Sequence, residues 1–237
     1  MNSYARLPEL RYNLHMNKLA ELKRLEMEME ANTTLPLRGE ANLVFGEGSV
    51  DCKVMLIGEA PGANEDRLKR PFVGRGGAVV DDMIRDLGWK REDVYITNIV
   101  KRRPPENRDP TPAEIEAYKP YLSRQIEVID PKLIVTLGRF SMNYFLPEAK
   151  ITRDHGRPLR IDGRTIFPVY HPAAGLRSTE MMAVLRADFK KIPAVLAGEF
   201  DIKLPPAFGP LPGKGTRVTG AEGAPKSDAK PKQQGLF

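Results

Sequence analysis

Glu59, Glu65 and Phe72 lie close together in the sequence, soon after the apolar run KVMLI at residues 53–57. Such a run is typical of a buried strand in a parallel sheet. The glycines and the proline of GEAPG, residues 58–62, turn the chain sharply where that strand ends. Since ligands bind at the carboxyl ends of the strands in an open α/β sheet, we expect a cleft here. The alternative is a Gly/Pro-rich connection whose acidic side chains are simply solvated.

Polar residues accompany two later apolar runs. Asn98 lies within the β-rich run 94–100, and His171 follows the run 165–170. A further apolar run, 133–138, ends in glycine. Taken one at a time, the two polar residues have ordinary structural explanations. An asparagine can cap a strand end, and a histidine before proline can satisfy a buried carbonyl group.

The elements that must hold these residues alternate between strands and helices along the chain. Hydrophobic periodicity and Gly/Pro punctuation predict a short edge strand at 43–45 and helices over 7–31, 77–87, 112–130, 139–145 and 181–196. The apolar face of the first helix is formed by Leu14, Leu19, Leu22, Leu25 and Met29. The alternation of strands and helices along the chain predicts an α/β fold, a three-layer α/β/α sandwich with a short, mostly parallel sheet.

Composition predicts one domain followed by a tail. The 237 residues are 41% hydrophobic, which suffices for one core over residues 1–202. Residues 203–237 are rich in Pro, Gly, Lys and Ala and are expected to be disordered. Six basic and two acidic residues in this tail account for +4 of the net charge of +6, so the body is nearly balanced. With one cysteine, no 18-residue apolar run and no signal-peptide pattern, a cytoplasmic protein without a membrane span is expected.

Three sequence blocks occur in a specific order and spacing. They are GEAPG with ED and PFVG (58–74), TNIVK with RPP and Asn (97–107), and HPA (171–173). Over residues 43–195 the chain resembles the uracil-DNA glycosylase superfamily, most closely its family 4. The resemblance implies the superfamily's fold and a monofunctional DNA-repair enzyme that hydrolyses the N-glycosidic bond of uracil in DNA.

The resemblance also implies how the base would be bound. Phe72 would stack on a uracil flipped out of the duplex, and Asn98 would pair with the edge that carries O4 and N3–H. Glu65 would lie near C5 and leave no room for the methyl group of thymine. Backbone N–H groups around Ala60 and Gly62 would help to bind the base.

The remaining roles concern catalysis and the DNA backbone. His171 would donate a hydrogen bond to uracil O2, and Glu59 would stabilise the sugar cation and position the attacking water. Residues 176–177 resemble the loop that wedges into the duplex, and basic residues cluster around the strand ends. The predicted DNA contacts are Lys101, Arg103, Leu176 and Arg177.

One departure from family 4 is large. Members of that family hold an iron–sulfur cluster through four cysteines, whereas this chain has the single cysteine Cys52. The four cluster positions fall at or near Ala31, Thr34, Arg102 and Ala117. We therefore expect no cluster, no metal site and no other cofactor, and we interpret Cys52 as an inert buried residue.

Two other functions remain open at this stage. One is a DNA-binding repair or replication accessory protein with weak or lost catalysis. The other is a glycosylase for a different deaminated base, such as hypoxanthine or xanthine, because Ala60 leaves the pocket size open. Retention of the full set of matched site residues argues against lost catalysis.

The final residues, QQGLF at 233–237, suggest a partner. They resemble the Gln-x-x-Leu-Phe peptide by which bacterial replication and repair proteins bind the β sliding clamp. In that motif Gln233 would form hydrogen bonds, while Leu236 and Phe237 would enter an apolar pocket. The alternative is a chance match, since short motifs often occur by chance. The enzyme itself is expected to be a monomer that acts on uracil-containing DNA near the nucleoid.

Overall fold

A computed structural model describes residues 7–200 and residue 202. Its strands are Glu47–Gly48 (β1), Val54–Gly58 (β2), Tyr95–Asn98 (β3), Leu133–Leu137 (β4), Leu159–Ile161 (β5) and Arg164–Val169 (β6). Its helices are Leu7–Ala31 (α1), Ala63–Leu68 (α2), Arg75–Asp86 (α3), Pro112–Ile129 (α4), Arg139–Phe145 (α5), Ile151–Asp154 (α6), Pro172–Gly175 (α7), Thr179–Phe189 (α8) and Ile192–Ala197 (α9).

The apolar runs of the sequence form the inner strands of one six-stranded sheet, in the order β1-β3-β2-β4-β6-β5. The four inner strands are parallel, and the two edge strands β1 and β5 are antiparallel to their neighbours. Every residue of β2 and β4 is buried, as expected for strands covered by helices on both faces. The predicted short, mostly parallel sheet is therefore confirmed.

Side chains that alternate along each strand divide the core into two layers. Met55 and Ile57 of β2 face a cluster built with α1, α4 and α5. Val54 and Leu56 face the opposite cluster, built with α3, α8 and α9. This arrangement is the predicted three-layer α/β/α sandwich, and it leaves the carboxyl ends of the inner strands free to build a site.

Helix boundaries follow local chemistry. Helix α4 begins at Pro112 because Thr111 and Glu114 form a reciprocal capping box, and it ends before Asp130, which adopts a left-handed backbone with φ of 51°. The prediction of one continuous helix over 181–196 is wrong, because α8 ends at Phe189 and α9 begins at Ile192. Pro193 explains the break, since its ring would collide with the carbonyl group four residues earlier.

Two further expectations need correction. The edge strand predicted at 43–45 lies instead at Glu47–Gly48, where Gly48 approaches Val94 so closely that a Cβ atom would lie 1.9 Å from its carbonyl oxygen. In α1 the predicted apolar face is only partly buried, because Leu14 and Leu19 are exposed. The carboxyl-terminal half of this helix supplies its core residues, Leu22, Leu25 and Met29.

None of the helices within 7–200 is both long and apolar enough to cross a membrane. Residues 203–237, including the QQGLF peptide, lie outside the described residues, so the expected domain boundary at 202 stays a prediction.

Candidate active site

The carboxyl ends of the inner strands bring the predicted site residues together. Glu59 follows β2, Asn98 is the last residue of β3, and His171 lies two residues beyond β6. These side chains, with Phe72 from the connection between α2 and α3, line a cleft of about 530 Å³. The parallel register places Gly58 directly opposite Asn98, which explains why residues 40 positions apart share one cleft.

Phe72 is held in a constrained position. Its backbone adopts a left-handed conformation with φ of 50°, which is unusual for an aromatic residue, and its side chain is only 7% exposed. The ring packs over Gly58, where a Cβ atom would lie 2.4 Å from both the ring Cζ and Asn98 Oδ1. Gly58 is therefore required for the close approach of ring and amide at this point. The ring centroid lies 6.1 Å from that of His171.

Glu65 makes contacts that sequence reasoning did not anticipate. Its Oε1 atom accepts hydrogen bonds from the backbone N–H groups of Val73 and Gly74, at 3.0 and 2.7 Å. The carboxylate thus fixes the strained turn that carries Phe72. Glu65 also lines the cleft. Its role beside uracil C5 stays a prediction.

Asn98 carries an unpartnered acceptor. The residue is 1% exposed, and its Oδ1 atom has no hydrogen-bond partner among the described residues. Leaving a buried acceptor unpaired costs about 1–3 kcal/mol, so such an atom at the wall of a cleft is suited to a ligand that brings its own donor.

His171 is fixed in one neutral tautomer. It is the N-cap residue of α7, where its Nδ1 atom accepts the backbone N–H of Ala173 at 3.2 Å. The ring proton must then reside on Nε2. Burial, and secondarily the positive charge of Arg177, lowers the pKa of His171 to about 4, so the ring is neutral near pH 7. Gly138, with φ of 93°, follows β4 and lies against His171. Any side chain there would collide with it, since a Cβ atom would lie 2.9 Å from the Cβ of His171.

The pKa of Glu59 is raised, whereas that of His171 is lowered. Burial, with a smaller contribution from the negative charge of Asp109, raises the pKa of this carboxyl group to about 7, while Arg139 acts in the other direction. A carboxyl group with a pKa near 7 exists in both protonation states at neutral pH, which is typical of acid–base groups at active sites.

Asn107 is a cleft residue to which sequence reasoning gave no role. It and Glu106 both adopt left-handed backbone conformations, with φ of 56° and 54°. Arg103 donates from Nε to Asn107 Oδ1 at 2.7 Å, so the amide NH₂ group remains available at the cleft. The signal in the sequence was its place at the end of the second of the three sequence blocks, 97–107.

The predicted DNA contact at Lys101 is wrong. This side chain is fully buried and donates to Thr97 Oγ1 and to Gln125 Oε1 on α4. Burial lowers its pKa well below the usual lysine value. After Asn98 the chain passes beneath α4 instead of over the surface, so Lys101 cannot reach a phosphate. In contrast, Leu176 and Arg177 are exposed at the rim of the cleft.

The residues at the four expected cluster positions do not fit an iron–sulfur cluster. None is a cysteine, and the single thiol of the chain, Cys52, is buried with its pKa raised to about 11 by desolvation. The guanidinium of Arg102 instead donates from Nη1 to the carbonyl of Ala41 and from Nη2 to the carboxylate of Glu30, each at 2.6 Å. This pairing ties α1 to the segment after β3. In the described part of the chain, no three His, Cys, Asp or Glu side chains are grouped as metal ligands.

Comparison with known proteins agrees with this geometry. Residues 45–194 match the model of the uracil DNA glycosylase superfamily. The type-4 uracil-DNA glycosylase of Sulfurisphaera tokodaii is 45% identical over 163 residues, or 64% of this chain and 73% of that protein. That of Saccharolobus solfataricus is 44% identical over 168 residues, covering 67% and 78%. That of Thermotoga maritima is 40% identical over 173 residues, covering 70% and 90%.

Proposed function

The chain belongs to the uracil-DNA glycosylase superfamily, and we propose that it hydrolyses the N-glycosidic bond of uracil in DNA to leave an abasic site for base excision repair. The observation that carries this proposal is the unpartnered amide oxygen of Asn98 at the wall of a cleft that Phe72 and His171 also line. The 40–45% identity to type-4 uracil-DNA glycosylases supports the same activity.

Base recognition follows from the two groups of the Asn98 amide. Oδ1 accepts the N3–H of a flipped uracil, and Nδ2 donates to O4. Cytosine presents the reverse pattern on this edge, so the fixed amide rejects it. Phe72 stacks on the base from a turn that Glu65 holds in place. Backbone N–H groups near Ala60 and Gly62 complete the proposed base-binding surface.

Bond cleavage separates charge. As the bond between uracil N1 and the sugar C1′ breaks, the electron pair goes to uracil, and the Nε2–H of His171 donates to the O2 atom where negative charge develops. The Glu59 carboxylate stabilises the positive sugar and holds a water whose oxygen bonds to C1′, while the proton of that water passes to the carboxylate. At the rim, Leu176 and Arg177 occupy the space that the base leaves and contact phosphate, and Arg103 is proposed as a further DNA contact.

The assay that tests the proposal uses single- and double-stranded oligonucleotides with one uracil, followed by alkaline cleavage of abasic sites. Strand cleavage only where uracil was placed is expected. Binding of DNA without cleavage would instead favour an accessory protein. Cleavage at hypoxanthine or xanthine but not at uracil would favour a different lesion.

The proposed hydrolysis needs no cofactor, since every group named above belongs to the chain or to water. We expect the purified protein to be colourless, to contain no stoichiometric iron, and to excise uracil at the same rate in excess chelator. Absorbance, iron analysis and the oligonucleotide assay measure these three properties. Activity that disappears on chelation would contradict this part of the proposal.

The QQGLF peptide is proposed to bind the β sliding clamp of a bacterial cell. Such a tether would raise the concentration of the enzyme at replication forks without new contacts from its catalytic body. Deletion of Leu236 and Phe237 is expected to abolish retention on the immobilised cognate clamp while excision on short oligonucleotides stays unchanged. A matched deletion of two residues within the tail, Ala224 and Pro225, serves as the control. If full-length and truncated proteins bind the clamp equally, or neither binds, the peptide has no such role.

Because all proposed catalytic groups come from one chain, the enzyme is proposed to act as a monomer. We propose that it acts in the cytoplasm, at the nucleoid, because its proposed substrate is DNA.

A further inference from the structure

Arg91 reaches the turn that carries Phe72. It lies in the connection between α3 and β3, and its side chain is 20% exposed. All three of its guanidinium nitrogens donate. Nε donates to Glu47 Oε1 at 2.8 Å, Nη1 to Asp81 Oδ1, and Nη2 to the backbone carbonyl oxygen of Pro71 at 2.6 Å. One side chain thus connects β1, α3 and the residue directly before Phe72.

The contact with Pro71 fixes one of the two peptide groups that meet at Phe72. A peptide group is planar, so the backbone angles of Phe72 are set by the orientations of the group before it and the group after it. Arg91 holds the preceding group through its carbonyl oxygen. Glu65 holds the following group by accepting the N–H of Val73 at 3.0 Å. Both groups are therefore held by charged side chains, a guanidinium on one side and a carboxylate on the other.

These two restraints matter because the backbone conformation of Phe72 is unfavourable by itself. Its φ of 50° lies in the left-handed region, where the Cβ of an L-residue is crowded by a carbonyl oxygen. Such a conformation persists only where the surroundings fix it. The same conformation lays the ring over Gly58 at the wall of the cleft. Loss of one restraint is therefore expected to let the residue return to a negative φ and to carry the ring away from the base.

A purely structural role, in which Arg91 ties β1 to the body, explains less. Arg70 already donates to both carboxylate oxygens of Glu47, at 2.7 and 3.0 Å, so this acid is held without Arg91. The third nitrogen of Arg91 donates to a neutral carbonyl group and not to an acid. Hydrogen bonds from a charged donor are stronger than those between neutral groups, which suits an anchor for a strained turn.

We infer that Arg91 is a positioning residue for uracil excision, which holds the peptide group before Phe72 and thereby the ring that stacks on the flipped base. It acts through Phe72 and is not among the described residues that line the cleft. The inference deepens the proposed function and rests on it where the excision rate is concerned. The anchoring of the turn is independent of any activity.

NMR of the free protein tests the anchoring. Phe72 is the one phenylalanine of the chain that follows a proline, so proline labelled at the carbonyl carbon and phenylalanine labelled with ¹³C and ¹⁵N give a single correlation for this peptide group. In Arg91→Gln the Pro71 carbonyl carbon is expected to shift to lower frequency, because it loses a hydrogen bond. The Cα signal of Phe72 depends on the backbone angles, and it is expected to shift or to split.

Arg70→Gln is the matched control. It removes a guanidinium from the same carboxylate of Glu47 but leaves the bond between Arg91 and Pro71 in place, so both signals should stay where they are. An unchanged Phe72 Cα signal in Arg91→Gln, or an equal shift in the control, would overturn the inference. If Arg91→Gln does not fold, Arg91→Lys replaces it and is expected to shift the same signals, since one nitrogen cannot span the three partners of the guanidinium.

Single-turnover excision rates at saturating enzyme test the consequence for catalysis. Arg91→Gln is expected to be about 10-fold slower than the wild type, since small displacements of a positioned group are costly. Phe72→Ala is expected to be about 10- to 100-fold slower through loss of stacking. Because Arg91 acts through the ring, the double variant should be no slower than Phe72→Ala alone. Effects that multiply in the double variant would show that Arg91 acts by another route and would overturn the inference.

The two measurements separate this inference from the proposed function. If the Phe72 Cα signal moves in Arg91→Gln but the wild type excises no uracil, the anchoring stands and the proposed function fails. If the wild type excises uracil, and neither the signal nor the rate changes in Arg91→Gln, only the inference fails.

Discussion

Replacing His171 by alanine is expected to slow uracil excision by about 100-fold or more, because the substitution removes a donor aimed at the charge that develops on uracil O2. The structure makes this expectation specific. The ring is neutral, its Nδ1 is occupied by the N–H of Ala173, and only Nε2 can donate. A neutral donor is sufficient for an anionic leaving group, so the rate should not depend on protonation of the ring near pH 7.

Single-turnover kinetics with a double-stranded uracil oligonucleotide would measure the effect, and thermal unfolding would show that the variant remains folded. His15→Ala is the matched control, since His15 lies on α1, where its partner is Asp51. This control should excise uracil at the wild-type rate. His171→Gln keeps an N–H donor and should retain more activity than the alanine variant. Equal rates for wild type and His171→Ala would show that the site has been placed wrongly.

The strands and the site at their ends could be predicted because both depend on local sequence. Continuous apolar runs such as 133–138 suit strands buried on both faces, and glycines mark where they end. The parallel arrangement then gathers Glu59, Asn98 and His171 at one edge, although each lies far from the others in the sequence. The family resemblance supplied the roles, which no residue pattern alone could provide.

Side-chain directions and long-range pairs could not be predicted in this way. Lys101 stands in a basic stretch, yet it is buried because the chain turns beneath α4, where Gln125 Oε1 accepts a hydrogen bond from its Nζ. The ion pair of Asp109 with Arg139 joins residues 30 positions apart and requires the sheet order to be known. Similarly, the bond of Glu65 to the Phe72 turn depends on the strained backbone of that turn.

Arg102 occupies one of the four expected cluster positions, and its ion pair with Glu30 is another long-range contact that the sequence did not predict. The sequence showed only that a cysteine was missing at this position. In the structure, the buried guanidinium connects to Glu30 of α1 and to the carbonyl group of Ala41. Charge-assisted hydrogen bonds of this kind hold the amino-terminal helix to the body.

The selectivity of the enzyme is expected to depend most strongly on Asn98. The Oδ1 atom is buried without a partner, so uracil bound with its N3–H toward this atom satisfies both groups at once. Asn98→Asp replaces the amide NH₂ with a second acceptor, which repels uracil O4 and suits the exocyclic amino group of cytosine. Sites built around a specific hydrogen bond discriminate by several orders of magnitude, so a loss of about 100-fold or more in uracil excision is a conservative expectation.

The same substitution is expected to raise cytosine excision above the wild-type background, measured on matched oligonucleotides that differ only in the target base. Asn64→Asp is the control, because Asn64 is exposed at the rim of the same cleft and the variant adds the same negative charge near DNA. A general electrostatic effect on DNA binding would slow both variants alike and leave the ratio of uracil to cytosine excision unchanged. A change in that ratio confined to the Asn98 variant would instead show that this one amide reads the base, since only its buried position at the end of β3 forces the ligand to supply the missing donor.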